Sequence, residues 1–450
     1  MRPQRPGDHR GRIRSQIHGR GLAPEAHEPL VPRRRHRPGR QARLEQPILV
    51  GRTGLTVPLW LVILGLGITQ IIGWGSTYYA IGALSHDISA TTGWSKSLVF
   101  AAFSAALLLS GLLSRWAGRA VDRHGGRKLM ATGSVISAIG CLIIGLAHAP
   151  WVYVTGWLVL GVAMRFALYD AAFASLAQIA GERTRRSISY LALYAGFAST
   201  TFWPLSHYLS TEIGWNGAFL VFAAMHLCIC LPIHLAVLGK SRGETEDDAA
   251  ETTKEDPEQP FLEGRERRFA MAAFAAAIAF NGLVFAAISA HILPLFTGLG
   301  FSSSEAVLFA ALVGPSQVAA RLGEIFAGRG LKASQLGVIA FGLLPLALAV
   351  FAMGGFGFVA AIAFALLYGA SNGLITIAKG AVPLTLFGRR GYGSVLGTLA
   401  VPNLVLNALA PTLFSLLLEQ TSATTGFLVA LGFALLSALA MVWLARAYPR

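Results

Sequence analysis

The chain has 450 residues, of which 54% are hydrophobic and only 13% are charged, and its formal net charge is +15. A soluble globular protein would carry about 25% charged residues, so the composition excludes that class. Apolar runs of about twenty residues recur along the chain and predict a polytopic α-helical membrane protein. The excess of positive charge does not indicate a nucleic-acid partner, because residues 1–56 alone hold thirteen Arg against four acidic residues.

The first segment, residues 1–56, is rich in Arg, Pro and Gly and has no apolar periodicity. We therefore expect a disordered basic N-terminal tail. Two interpretations stay open for it. It could bind anionic lipids at the membrane surface, or it could be a translated leader upstream of the real start.

Twelve apolar spans follow, in two sets of six. The sequence predicts an N-terminal six-helix bundle over 57–238, a charged cytoplasmic linker over 239–268 and a C-terminal six-helix bundle over 269–447. The predicted spans cover residues 58–80, 97–117, 129–147, 151–179, 188–209, 218–238, 269–293, 305–326, 336–353, 356–378, 394–418 and 427–445.

The two halves echo each other weakly. Gly93-Trp94-Ser95 before the second span matches Gly300-Phe301-Ser302 before the eighth, and Gly118-Arg119 matches Gly328-Arg329 after those spans. A repeat of six spans predicts two pseudo-symmetric bundles.

Charge predicts the orientation. One set of connections holds fourteen Lys or Arg, whereas the short connections on the other side hold only Lys96. By the positive-inside rule, both termini and the linker are expected on the cytoplasmic side of a bacterial inner membrane. The fourteen cations lie in segments 115–128, 181–186, 321–332 and 379–390.

A short polar loop, Gly118–Lys128, separates the second and third spans. Its pattern, Gly-x-x-x-Asp-Arg-x-Gly-x-Arg-Lys, resembles the signature loop of the major facilitator superfamily of secondary transporters. The resemblance implies an all-α integral membrane fold with 12 transmembrane helices in two six-helix bundles. It also implies transport by alternating access.

The same resemblance implies a gating role for this loop. In the family the acid, here Asp122, is thought to sit near the start of the eleventh span, where a helix N-terminus favours negative charge. The alternative is that the cations only set topology. In the second half the pattern is incomplete, so we do not expect a matching contact there. The predicted gating residues are Gly118, Asp122, Arg123, Gly126, Arg127 and Lys128.

Two ionisable residues lie within the fourth span. Arg165 and Asp170 sit where a charge is costly unless it faces a partner or a wet cavity. In a regular helix the i,i+5 spacing puts them about 140° apart, so we expect them to serve different neighbours. Asp170 is the best candidate for a proton-binding carboxylate, and Arg165 could hold an anionic group of the substrate. The alternative is a purely structural role.

A second set of polar residues lies in the seventh and eighth spans: His291, Gln317 and Arg321. The run Gly314–Arg321 resembles the eighth span of monocarboxylate-type carriers, in which an Asp precedes the Arg by four residues. Gln317 stands in place of that Asp, and the first span has no Lys. We therefore expect an orphan subgroup with distant features of these carriers. The alternative for Arg321 is snorkelling to the cytoplasmic surface.

Further candidates for the substrate site are Gln70, Trp74 and Tyr78 of the first span and Asn372 of the tenth. In the family, spans one, four, seven and ten line the central cavity. Polar and aromatic side chains there would suit a small, partly polar solute. Such residues also form interhelical hydrogen bonds without any role in transport.

The leading hypothesis is a proton-coupled secondary transporter of a small solute, with an organic anion favoured by Arg165 and Arg321. The alternatives are a drug or metabolite efflux antiporter and a transporter-like sensor without turnover. No nucleophile–base set, metal cluster or phosphate-binding loop occurs, so we expect no enzyme activity, no cofactor and no metal. The expected partners are the small solute, protons and the lipid bilayer, without nucleic acid, and the protein is expected to be a monomer.

Overall fold

The computed structural model describes residues 47–49, 56–238 and 261–449. Two short strands, β1 (Pro47–Leu49) and β2 (Thr56–Pro58), pair antiparallel. Pro47–Leu49 lies within the N-terminal tail that the sequence predicts over residues 1–56. The rest of the predicted tail up to residue 55 and residues 239–260 of the predicted linker lie outside the described residues.

The remaining described residues are almost entirely helical. Two five-residue π-helical segments, Gly75–Tyr79 and His226–Cys230, continue the first and sixth spans. The α-helices are Leu59–Trp74, Ala80–Thr92, Lys96–Gly145, Pro150–Ala167, Tyr169–Ile179, Thr184–Gly196, Ala198–Met225, Leu231–Val237, Gly264–Gly298, Ser303–Ala327, Ala333–Met353, Phe358–Phe387, Tyr392–Gln420 and Ala423–Ala447.

The helix Lys96–Gly145 contains two membrane crossings. Its 50 residues far exceed the roughly 20 that cross a hydrocarbon core. Gly125 interrupts it with φ 78° and ψ 159°, a conformation that favours glycine. Ala106 and Gly140 each pack against residues 160–161 of the fourth span, so the two arms run side by side as the second and third spans.

The helix Ala198–Met225 folds back in the same way. Gly214 has φ 75° and ψ 163°, and the rings of Phe202 and Phe222 on either side of it lie 5.5 Å apart. Among the described residues, ten helical stretches are long and apolar enough to cross a membrane. Because two of them fold back, they provide twelve spans, and the expected all-α fold is confirmed.

Two boundaries differ from the sequence prediction. The seventh-span helix begins at Gly264, so residues 264–268, expected in the linker, are helical. The tenth-span helix runs to Phe387, well beyond the predicted end at residue 378. Hydropathy underestimates the length of these two helices, because they extend beyond the most apolar part of the sequence.

Each half of the chain has its own apolar core. Two clusters of buried side chains lie within the first six spans and two within the last six. Tyr392 and Leu396 of the eleventh span join a cluster of the first half, and Ala192 of the fifth span joins one of the second half. The halves therefore meet near the start of the eleventh span. We call this end of the bundle, which carries Gly125 and Gly388, the inner end.

Candidate functional site

At the inner end, Asp122 joins the two halves. Its Oδ1 accepts a hydrogen bond from the backbone N–H of Gly393 at 2.9 Å, and its Oδ2 accepts one from Ser394 at 2.7 Å. The eleventh-span helix begins at Tyr392, so both N–H groups belong to its first turn, which has no intrahelical acceptors and carries the positive end of the helix dipole. The contact is the one that the family resemblance implies for Asp122; its part in gating stays a prediction.

Three glycines allow the second and eleventh spans to cross very closely at this contact. A Cβ on Gly118 would overlap the carbonyl oxygen of Gly393, and a Cβ on Gly397 would overlap that of Ser114. A Cβ on Gly393 would lie 2.6 Å from the carbonyl oxygen of Gly118. The close approach lets the carboxylate reach the start of the eleventh span.

The other predicted gating residues lie nearby on the second and third spans. Arg123 and Lys128 are exposed and Arg127 is half-buried. Gly126 is buried against the fourth span, where a Cβ would overlap Ser175 Oγ. Close packing therefore requires glycine at position 126, whereas the chain turns at Gly125.

A second contact between the halves lies at the inner end. Arg185 of the fifth span donates to the carbonyl oxygen of Leu331 at 2.5 Å and pairs with Glu324 of the eighth span at 3.9 Å. The incomplete pattern of the second half does not predict this contact. Here a cation of the first half binds an acid and a carbonyl of the second half, so the chemistry is reversed, and the signature pattern does not reveal it.

In the fourth span, Arg165 and Asp170 form an ion pair. The distance between Arg165 Nη1 and Asp170 Oδ2 is 2.5 Å, and their side chains are 9% and 34% exposed. The sequence prediction that they serve different neighbours is wrong. It assumed a regular helix, whereas Leu168 is extended, with φ −88° and ψ −165°, and breaks the span between the two residues.

Gln70 holds this break in place. It is fully buried, and its Nε2 donates to the carbonyl oxygen of Ala167 at 2.7 Å. In an unbroken helix that oxygen would accept from the N–H of residue 171, so the side-chain amide satisfies a group that the break sets free. The contact that the structure gives this predicted substrate candidate is therefore structural.

Arg321 lies at the junction of the two halves and is 4% exposed. Its Nε donates to the carbonyl oxygen of Gly373 and its Nη2 to Thr376 Oγ1, both at 3.3 Å, on the tenth span. Its Nη1 is buried without a hydrogen-bond partner among the described residues. A Cβ on Gly196 of the fifth span would overlap Nη1. The alternative that Arg321 snorkels to the surface is therefore wrong.

The sequence prediction missed Lys379. Hydropathy ends the tenth span at residue 378 and so places Lys379 in a loop, but the helix continues and half-buries it. Its charge is attracted by Asp170 and repelled by Arg165. The adjacent Gly380 packs against Phe173 of the fourth span. The apolar residues that flank Lys379 on both sides are the signal that could have found it.

Aromatic side chains of the first, second and fourth spans form a cluster. The ring of Trp74 lies 5.3 Å from that of Tyr78 and 5.1 Å from that of Tyr169. Tyr78 also contacts Tyr79 at 5.4 Å and Phe103 at 5.3 Å. The structure thus brings two predicted candidates, Trp74 and Tyr78, together with Tyr79, Tyr169 and Phe103.

The remaining candidates lie in the second half. His291 is partly buried at a distortion of the seventh-span helix, and its Nδ1 lies 3.2 Å from the carbonyl oxygen of Ala287. Gln317 and Asn372 are partly buried on the eighth and tenth spans. Tyr368, also missed, pairs with Ser289 Oγ at 2.9 Å. Among the described residues no group of three His, Cys, Asp or Glu side chains could hold a metal ion.

Comparisons with curated proteins point to membrane transport. Monocarboxylate transporter 6 of Homo sapiens is 28% identical to this chain over 202 residues, which cover 42% of this chain and 37% of that protein. Monocarboxylate transporter 6 of Mus musculus is 26% identical over 185 residues, covering 38% and 37%. The match therefore spans little more than a third of the length of either relative.

Solved structures share the fold. The human organic anion transporter MFSD10 (TETRAN) superposes with a TM-score of 0.64 at 16% identity, covering 85% of this chain and 98% of that one. The MFS proton:xylose symporter XylE bound to 6-bromo-6-deoxy-D-glucose superposes with a TM-score of 0.66 at 13% identity, covering 85% and 94%. At these identities the likeness shows the fold alone. The model of the Major Facilitator Superfamily matches residues 63–400, so the chain belongs to this superfamily of multi-pass membrane transport proteins.

Proposed function

We propose that the protein is a proton-coupled secondary transporter that carries a small organic anion by alternating access. One observation carries the proposal. Arg321 is 4% exposed, reaches from the second half to Gly196 of the first, and keeps a buried Nη1 N–H without a partner among the described residues. A buried charged donor without an acceptor is costly, and the carboxylate of a bound substrate would supply that acceptor.

The inner-end contacts support alternating access. Asp122 and Arg185 each bind the opposite half, so the halves are held together at this end. For the halves to rock apart at the inner end, these hydrogen bonds must break. An anion that neutralises Arg321 would change the relative free energy of the two arrangements, because Arg321 contacts both halves.

Asp170 supports proton coupling. Its side chain is 34% exposed and so is open to solvent, and it forms an ion pair with Arg165. A proton on Asp170 would remove the charge that Arg165 pairs with and alter the balance of charge at the junction. We therefore assign proton binding to Asp170.

The aromatic side chains around the site keep the efflux alternative open. The rings of Trp74, Tyr78 and Tyr169 offer apolar contact, which suits an amphiphilic organic anion as well as a small metabolite. The relatives named for organic anions and monocarboxylates are consistent with an anionic substrate. In the bacterial inner membrane, with both termini cytoplasmic, either direction of transport fits.

The test is solute counterflow in proteoliposomes. Purified protein is reconstituted into liposomes. The proteoliposomes are loaded in turn with an unlabelled carboxylate, sugar or cationic drug, and the entry of the same solute in labelled form is measured. We expect flux of a carboxylate, and we expect R321Q to abolish it. R446Q is the matched control, because Arg446 is an exposed residue of the twelfth span. Carboxylate flux that survives in R321Q would contradict the proposal, and binding of the carboxylate without flux would favour the sensor.

A further inference from the structure

Two cations at the junction of the halves lack a carboxylate partner. Arg321 Nη1 is buried and unpartnered, and Lys379 forms no hydrogen bond or direct ion pair in the part of the chain that the structure describes. Asp170 is the carboxylate within electrostatic range of Lys379, but it already binds Arg165 at 2.5 Å. Because Arg165 occupies the carboxylate of Asp170, neither Arg321 nor Lys379 has a carboxylate partner of its own among the described residues.

A neighbouring acid does not supply this partner. Glu324 lies one turn beyond Arg321 on the eighth span, and its carboxylate pairs with Arg185 at 3.9 Å. No ion pair joins Glu324 to Arg321 among the described residues. The two uncompensated charges therefore remain at the level of the junction.

Arg321 of the eighth span reaches the turn of the tenth span that precedes Lys379. Arg321 Nη2 is bound to Thr376, and Lys379 follows Thr376 by three residues on the same helix face. Three residues correspond to a rise of about 4.5 Å. Gly380, next to Lys379, packs against Phe173 and Ile188 of the first half, so this turn also faces the junction.

The two cations without a carboxylate partner indicate how many negative charges the substrate carries. A buried charge without a counter-charge is strongly disfavoured, and a monoanion could neutralise only one of the two cations. We propose that the site takes a small organic dianion, with one carboxylate bound by Arg321 and the second by Lys379. Lys379 is then a specificity-determining residue. This inference rests on the proposed function and deepens it by naming the class of anion.

Matched pairs of anions test the inference. Succinate and butyrate, or glutarate and valerate, have the same number of carbons and differ by one carboxylate, and at neutral pH all their carboxyl groups are ionised. Counterflow in proteoliposomes is measured with each member of each pair. We expect wild-type protein to prefer the dicarboxylate by tenfold or more, and K379Q to reduce this preference to less than threefold.

Two variants serve as controls. K379R keeps the positive charge and should keep most of the preference for the dicarboxylate. K96Q makes the same change of charge at an exposed residue that precedes the second span, and should leave the preference as in wild-type protein. Thermal melting of each purified variant shows whether it is folded.

The outcomes separate the two proposals. Equal flux of both members of each pair in wild-type protein, or an equal loss of both in K379Q, would overturn the inference while leaving organic-anion transport intact. Flux of neither member of any pair would reject organic-anion transport and the inference with it. If K379Q does not fold, the preference of the wild-type protein between the members of each pair still decides whether the site takes a dianion.

Discussion

Asp122 of the second span and Ser394 of the eleventh are joined by a hydrogen bond of 2.7 Å, although 272 positions separate them in the chain. The other oxygen of the same carboxylate binds Gly393, so one acid covers two free N–H groups of a helix N-terminus. Hydrogen bonds to a charged group contribute about 1.5–3 kcal/mol. Contacts of this strength can decide which arrangement of the halves predominates.

Removing the charge of Asp122 should open the inner end. In D122N one carboxylate oxygen becomes an NH2 group, which meets a backbone N–H donor and cannot accept from it. We expect the ratio of closed to open inner ends to fall roughly ten- to a hundredfold. Spin labels at His124 and Arg390, in a background without the three native cysteines, report the change as a longer distance in double electron–electron resonance.

E212Q is the control for this measurement. Glu212 is exposed, so the same change from carboxylate to amide should leave the distance distribution as in the parent protein. An unchanged distance in D122N as well would show that the contact does not hold the inner end closed.

Adding one methyl group at Gly118 should separate the second and eleventh spans. In G118A the new Cβ would overlap a backbone oxygen of Gly393, and backbone cannot move aside as a flexible side chain can. Overpacking of this kind costs about 1–3 kcal/mol. We expect a lower melting temperature in detergent and reduced flux. G432A is the control, because a Cβ on Gly432 meets open space. Melting and flux equal to those of G432A would show that the crossing tolerates a side chain.

A methyl group at Gly196 should weaken anion binding without altering any charged group. Its Cβ would overlap Arg321 Nη1 and push the guanidinium from its position against the fifth span. We expect the apparent affinity for the transported anion to fall roughly tenfold, which corresponds to about 1.4 kcal/mol. Flux measured against anion concentration gives the KM. G342A, on an open face of the ninth span, should keep the wild-type KM. A wild-type KM in G196A would argue against a substrate-binding role for Arg321.

Neutralising Asp170 should separate exchange from uphill transport. D170N cannot take up a proton, so accumulation driven by a pH gradient should be lost while equilibrium exchange of the anion persists. Both are measured in the same proteoliposome preparation. Exchange serves as the internal control for folding, since an unfolded variant loses both activities. Proton-driven accumulation at the wild-type level in D170N would reject this residue as the proton site.

The sequence predicts the twelve spans because lipid forces every backbone group into helices of a characteristic length and apolarity. It cannot predict how spans face each other. Leu168 breaks the fourth span without Gly or Pro at the break, and this irregularity is what brings Arg165 to Asp170. Periodicity arguments assume a regular helix, so they placed these two side chains on different faces.

The misplaced cations have a related explanation. The sequence gives only the depth of Arg321 along one span, but its surroundings come from Gly196, Gly373 and Thr376 on two other spans. Hydropathy places Lys379 in a loop because a lysine lowers the hydropathy that defines the end of a span. The surroundings of both Arg321 and Lys379 are set by contacts between spans that are distant in sequence. For Asp122, by contrast, a known family pattern supplied the long-range partner.

The most direct test of the account is accumulation of a labelled carboxylate by wild-type proteoliposomes under an imposed pH gradient, with R321Q measured beside it. The luminal concentration should rise above the external one in wild-type vesicles, collapse when a protonophore removes the gradient, and stay at background in R321Q. Accumulation that does not depend on the pH gradient, or that is the same in R321Q as in wild-type protein, would contradict the account.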